Sequence, residues 1–92
     1  MYEIHQRTID IAKKNGLTVK PSTKANKKID VFKNGVFLHS VGAIGYGDYP
    51  HYLKTLGKEI ADKKRASYLK RHEKGIDANH LGEKLAAMLL WS

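Results

Sequence analysis

The basic side chains of this sequence are concentrated in two stretches whose chemistry suits phosphate groups. Seven lysines fall between Lys13 and Lys33, and eight lysines and arginines fall between Lys54 and Lys74. Such side chains neutralise phosphates, and binding that depends on them weakens steeply as salt rises. We expect these contacts from seven side chains: Lys27, Lys28, Lys63, Lys64, Arg65, Lys70 and Arg71.

Tyrosines interleaved with the basic residues add surfaces on which bases could stack. Tyr46 and Tyr68 are the expected stacking side chains, because aromatic rings beside cations bind single strands. The plainer alternative is a solvated, lysine-rich helix face, which is common in proteins. A net charge of +8 in 92 residues and a pI near 9.8 favour nucleic-acid binding over that alternative.

Acidic and imidazole side chains give a weaker indication of catalysis. Asp30 with His39, or Asp48 with His51, could form a general base oriented by a carboxylate. Asp30, Asp48 and Glu59 could also be grouped as the metal site of a small nuclease. However, an N-cap explains Asp48, and a cross-strand polar pair explains Asp30 and His39. No histidine pair has zinc-site spacing and the chain has no cysteine, so we expect no catalytic residue, metal or cofactor.

A β-hairpin is the clearest local prediction for the middle of the chain. Asn34-Gly35 is typical of a two-residue type I′ turn, here between strands Lys28–Phe32 and Val36–Val41. Leu17–Val19 is a candidate third strand, and Ser22–Lys28 is predicted to be a surface loop. The hairpin register that follows pairs Ile29 with Ser40, Asp30 with His39, Val31 with Leu38, and Phe32 with Phe37.

Helices are predicted on both sides of this hairpin. The first covers Tyr2–Asn15 and ends at Gly16, and a long basic helix covers Tyr49–Lys74 with Asp48 as its N-cap. In the long helix Gly57 is expected to mark a bend or a close crossing, and Gly75 to end it. The core stripe of its first half is predicted to be Leu53, Leu56, Ile60 and Ala61.

The loop before the long helix contains three glycines within residues 42–47. Glycines permit positive φ and close approach, so a tight packed turn is expected here. A phosphate cradle at the helix N-terminus is the alternative, although neither a Walker-A lysine nor a complete G-x-G-x-x-G is present.

A short amphipathic helix is expected from about Asn79 to the end of the chain. Its apolar side chains could pack on the core or on a second copy or virion partner: Leu81, Leu85, Met88, Leu89 and Trp91. If the side chains from Leu85 onward were exposed, a minor virion or protein-interaction role would be favoured over nucleic-acid binding.

Length and composition bound the whole molecule. Ninety-two residues predict one domain, residues 1–92, and the order of elements predicts an α+β fold. The polar N-terminus does not resemble a signal peptide, and no apolar run reaches the roughly 18 residues of a membrane span. We therefore expect an intracellular protein that is neither secreted nor membrane-bound.

Three runs carry a resemblance to a known family: GLTVKPSTKANKKIDVFKNG, GAIGYGDYPHYLK and KKRASYLKRHEKG. Over roughly residues 12–75 the chain resembles small, uncharacterised basic proteins encoded by large DNA viruses, notably those of algae, and by some phages. The resemblance implies an infected host cell or a virion as the setting, and no particular mechanism.

The combined expectation is a nucleic-acid-binding protein that contacts mainly the phosphate backbone. A structural or interaction protein of the virion, or less favourably a metal-dependent nuclease, is the alternative, and DNA versus RNA stays open.

Overall fold

The computed structural model describes residues 2–78 and 80–92. They form two compact units, of which the first ends at Tyr46 and the second comprises Gly47–Ser92. Within the described residues, the first unit contains a helix and an antiparallel sheet, and the second contains helices. This arrangement confirms the predicted α+β class.

The first helix, α1, covers Gln6–Lys14 and begins four residues later than predicted. His5 is extended, with φ −68° and ψ 143°, and before it the Tyr2 ring lies 5.3 Å from the Lys28 ammonium. The predicted end is confirmed. Gly16 has φ 69° and its N–H donates to Lys13, while the N–H of Leu17 donates to Ala12, which is a Schellman motif.

Three strands form the sheet in the order β1-β2-β3, all antiparallel: β1 is Thr18–Pro21, β2 is Lys27–Lys33 and β3 is Val36–Ala43. The candidate third strand is thus real, displaced by one or two residues. Strand β2 begins at Lys27, so the predicted loop is shorter than expected and loses its last two residues to the sheet. Ile29, Val31 and Val41 are buried and supply the sheet's part of the core.

The hairpin turn is as predicted, but most of the predicted register is wrong. Asn34 and Gly35 have φ of 52° and 79°, as a type I′ turn requires, and Phe32 pairs with Phe37. Beyond that pair Leu38 is skipped, which makes a β-bulge that shifts every later pair by one residue. The observed pairs are Val31 with His39, Asp30 with Ser40, and Ile29 with Val41.

The shifted register gives Asp30 partners that the sequence did not predict. Its carboxylate accepts hydrogen bonds of 2.6 Å from the hydroxyls of Ser22 and Ser40, and His39 instead meets the carbonyl of Ser40 through Nδ1 at 2.7 Å. The predicted Asp30–His39 pair is therefore wrong. The two hydroxyl bonds, Ser22 first, hold the pKa of Asp30 below its ordinary value.

Replacing Asp30 by Asn is expected to lower the free energy of unfolding at pH 7 by about 1–2 kcal/mol, because charge-assisted bonds are lost. The folded pKa is lowered, so the carboxylate stabilises the fold above the ordinary value of about 3.9 and loses this effect as pH falls through the folded value. Urea unfolding of both proteins at pH 7 and at about pH 3 should show the difference shrinking in acid. Asp10→Asn, at an exposed position of α1, is the matched control. A difference that does not depend on pH would contradict this role.

The second unit contains α2 (Tyr49–Leu56), α3 (Lys58–Arg71), α4 (Glu73–Asp77) and α5 (Leu81–Leu89). The prediction of one continuous helix over Tyr49–Lys74 is wrong, because Gly57 has φ 87° and ψ 167° and breaks it. A side chain at Gly57 would meet nothing within 4 Å, so the positive φ and not a close crossing requires glycine there. Gly75 lies inside α4, where the Glu83 side chain occupies the place of a Cβ, and does not end a helix.

The break also explains why the predicted core stripe is largely wrong. Leu56 and Ile60 lie on either side of Gly57, where one helical face does not continue, and they are 45% and 46% exposed. Ala61 is buried as predicted, and Leu53 is half-buried. The predicted cap at Asp48 is confirmed, since its carboxylate accepts a bond from the N–H of His51 at 3.2 Å.

Helix α5 supplies most of the core of the second unit. Leu85, Ala86 and Leu89 are buried on it, and Leu90, directly after it, is also buried and accepts a bond of 2.9 Å at its carbonyl from the N–H of Tyr49. Of the two roles predicted for this helix, Leu85 and Leu89 have the one in the core, while Met88 and Trp91 are half-buried. Asn79, the predicted start, lies outside the described residues. No helix among the described residues is long and apolar enough to cross a membrane.

Candidate nucleic-acid interface

A basic groove lies along α3 in the second unit. Its volume is about 350 Å³, and its walls come from α2, α3 and the segment after α5. The lining side chains are Tyr52, Ile60, Lys63, Lys64, Ser67, Arg71 and Trp91. Three of the seven predicted phosphate-binding cations therefore meet in one concave surface, which we call the α3 groove.

Helical geometry puts four of the groove's side chains in one row. Ile60, Lys64, Ser67 and Arg71 recur at intervals of four, three and four residues, so they share a face of α3. Lys64 and Arg71 are about 10.5 Å apart along the helix axis, with Ser67 between them. The sequence shows this spacing, but its pattern places Ile60 in the core and gives no sign of a role for Ser67.

The aromatic wall of the groove is held by a stack of rings. The Trp91 ring is stacked on Tyr68, with centroids 4.5 Å apart and planes within 9°. Tyr68 is also stacked on His72 at 4.3 Å, and the Tyr52 ring stands 6.0 Å from Trp91 at an angle of 43°. Tyr68 thus supports Trp91, and the rings that line the groove are Trp91 and Tyr52.

Two contacts fix Tyr52. A Cβ at Gly47 would lie only 2.7 Å from the Tyr52 hydroxyl oxygen, so glycine is needed for the ring to pack there. The Lys64 ammonium lies 4.9 Å from the centre of the same ring, within cation–π range. The close approach predicted for the glycine-containing loop therefore occurs at Gly47, and its partner is an aromatic ring of the protein itself.

Acidic side chains neutralise one part of α3 and leave the groove basic. Asp62 accepts bonds from the Lys58 ammonium at 2.7 Å and from the Tyr49 hydroxyl at 2.6 Å, and these two bonds, in that order, lower its pKa. The Arg65 guanidinium lies 3.6 Å from Asp62 and 4.2 Å from the centre of the Tyr49 ring. Arg65 therefore helps to hold α2 against α3 and does not line the groove.

The cations within the groove differ in their partners. Lys63 lies 4.0 Å from Glu59, but both side chains are well exposed, so this ion pair contributes little. Within the part of the chain that the structure describes, no acidic side chain is paired with Lys64 or Arg71. The groove therefore keeps positive charge that a phosphate can neutralise.

Glu83 anchors the end of the ring stack. Its carboxylate lies 3.0 Å from Nδ1 of His72 and 3.5 Å from Nδ1 of His80, and the hydrogen bond with His72 is the main cause of its lowered pKa. Burial, and then the charge of Glu83, raise the pKa of Tyr68. The tyrosine is therefore neutral at physiological pH, and its hydroxyl adds no negative charge near the groove.

The other predicted binding residues lie outside the groove. Lys70 is exposed on α3 but does not line it. In the first unit, Lys27 is half-buried at the start of β2, and Tyr46 is 76% exposed. Lys28 is only 4% exposed and its ammonium lies 5.3 Å from the centre of the Tyr2 ring, so it presents little surface to a ligand.

The two acid–imidazole pairs that the sequence suggested as general bases have other roles in the structure. The pair of Asp48 and His51 is a backbone cap, and the other candidate pair is broken by the bulge at Leu38. Among residues 2–78 and 80–92, no group of three histidine, aspartate or glutamate side chains could hold a metal ion. No protein-family model, curated protein or solved structure matches the chain.

Proposed function

We propose that this protein binds nucleic acid through the α3 groove. The observation that carries the proposal is the convergence of Lys63, Lys64 and Arg71 with the rings of Tyr52 and Trp91 in one concave surface. Ammonium and guanidinium groups bind phosphate oxygens through charge-assisted hydrogen bonds. Aromatic rings beside them suit bases or sugars, which is the combination used by proteins that follow a nucleic-acid strand.

The overall charge supports the same ligand. A net charge of +8 attracts polyanions over distances longer than direct contacts and raises association rates at low salt. As part of the same proposal, and from the resemblance to virus and phage proteins alone, we assign the function to an infected cell or a virion. Backbone contacts carry no sequence information, so weak sequence preference is expected.

Fluorescence anisotropy with labelled DNA and RNA, in single- and double-stranded forms over a salt series, tests this proposal. With three cations in the groove, the slope of log affinity against log salt should be about −2 or steeper. The expected affinity is micromolar or tighter at low salt. If no nucleic acid binds even at low salt, the proposal is wrong.

A further inference from the structure

We infer that the α3 groove takes an unstacked nucleotide of a single strand, with its base against Trp91 and Tyr52 and its phosphates on Lys64 and Arg71. This inference rests on the proposed function and makes it specific. It follows from where the rings lie: they line the same groove as the cations.

The position of the rings selects for an exposed base. In a duplex each base is covered on both faces by its neighbours, and enzymes that need a base must first remove it from the stack. A single strand offers its bases directly to aromatic side chains. The groove therefore suits a strand whose bases are free to leave the stack and lie against the rings of Trp91 and Tyr52.

The rings are held in place before any ligand arrives. Trp91 rests on Tyr68, Tyr68 rests on His72, and His72 is bonded to Glu83. A side chain that is already ordered loses little conformational entropy on binding, so a base stacking here gains more net affinity. This support distinguishes Trp91 from Tyr46, which lies 76% exposed in the first unit.

The row of polar side chains gives the strand a direction along the helix. Lys64 and Arg71 lie two turns apart, and Ser67 stands one turn from each. Its hydroxyl can donate a hydrogen bond to a phosphate or sugar oxygen between the two cations. The sugar-phosphate chain would therefore follow α3, with the base turned toward the aromatic wall.

Trp91 is the only tryptophan, so its fluorescence reports on the groove alone. Three ligands of equal length would be titrated into the full chain: a single strand, its blunt duplex, and an abasic strand with the same number of phosphates. The single strand should quench Trp91 and bind roughly 5- to 100-fold more tightly than the abasic strand, because each stacked base adds to affinity. The duplex should bind without comparable quenching.

Tyr52→Leu should reduce the ratio of the single-strand affinity to the abasic affinity, because it removes one of the rings against which the base lies. Tyr46→Leu, outside the groove, is the matched control and should change neither. Equal affinity of the unmodified protein for normal and abasic strands, or tighter binding of the duplex, would overturn this inference while leaving nucleic-acid binding intact. Failure of all three ligands to bind would instead overturn the proposed function itself.

Discussion

Reversing the charges of Lys64 and Arg71 together is expected to weaken nucleic-acid binding by about 100-fold or more at low salt. Each side chain should lose a charge-assisted contact of about 1.5–3 kcal/mol, and about 1.4 kcal/mol corresponds to a factor of ten. The salt dependence should become shallower by about one unit for each lost phosphate contact. Anisotropy titrations of the Lys64→Glu, Arg71→Glu double variant over a salt series would measure both effects.

The matched control is Lys70→Glu with Lys74→Glu. Both lysines are exposed and outside the groove lining, and the substitution changes the net charge by the same amount. A much smaller loss is expected from it, since only long-range attraction falls. Circular dichroism should show that both double variants keep the helical content of the original chain. Equal losses in the two variants would mean that overall charge, not the α3 groove, determines binding.

Leu89→Ala is expected to have the largest effect on stability, about 3 kcal/mol within a usual range of 2–5. Leu89 is fully buried in the core of the second unit, so truncation loses apolar contact and leaves a cavity. Urea unfolding followed by circular dichroism would measure the change. Because Trp91 follows two residues later, its emission should also shift toward that of an exposed ring at lower urea concentration.

Leu81→Ala on the same helix is the control for Leu89→Ala. Its side chain is largely exposed, and surface substitutions of this kind usually change stability by less than about 0.5 kcal/mol. Similar effects of the two substitutions would contradict the assignment of Leu89 to the core.

Features fixed by local chemistry were predictable from the sequence. A type I′ turn requires positive φ at two adjacent residues, and Asn-Gly meets this requirement better than most dipeptides. Asn34 and Gly35 do so here. Gly16 ends α1 and Asp48 begins α2 for similar reasons, since each satisfies backbone groups within a few residues of itself. The sequence therefore correctly predicts the hairpin turn, the end of α1 and the start of α2.

Features decided by distant contacts were not predictable. The bulge at Leu38 places Asp30 opposite Ser40 and within reach of Ser22, and no local pattern shows that these two hydroxyls are better partners than His39. From the sequence alone Gly57 indicates a bend or a close crossing, whereas the structure shows a break there. The prediction that these residues are helical is therefore correct, and the prediction that they form one continuous helix is wrong.

In the candidate site, too, local features were predictable and distant contacts were not. The sequence correctly predicts that Lys63, Lys64 and Arg71 lie on one helix, because they are close together in the chain. Trp91 lies twenty residues beyond Arg71, and only the packing of α5 brings its ring to the groove. An apolar ring such as that of Trp91 is equally typical of the core, so the sequence alone does not predict that it lines the groove.

Helix α3 buries only Ala61 among its fourteen residues, whereas α5 buries Leu85, Ala86 and Leu89. Substitutions at exposed positions usually alter stability very little, so most of α3 can mutate without threatening the fold. In evolutionary terms, selection on the charge of the groove acts mainly on α3, and selection on folding acts mainly on α5. Relatives of this chain could therefore diverge in the charge of the groove while keeping the same scaffold, and an engineer could retarget it by the same route.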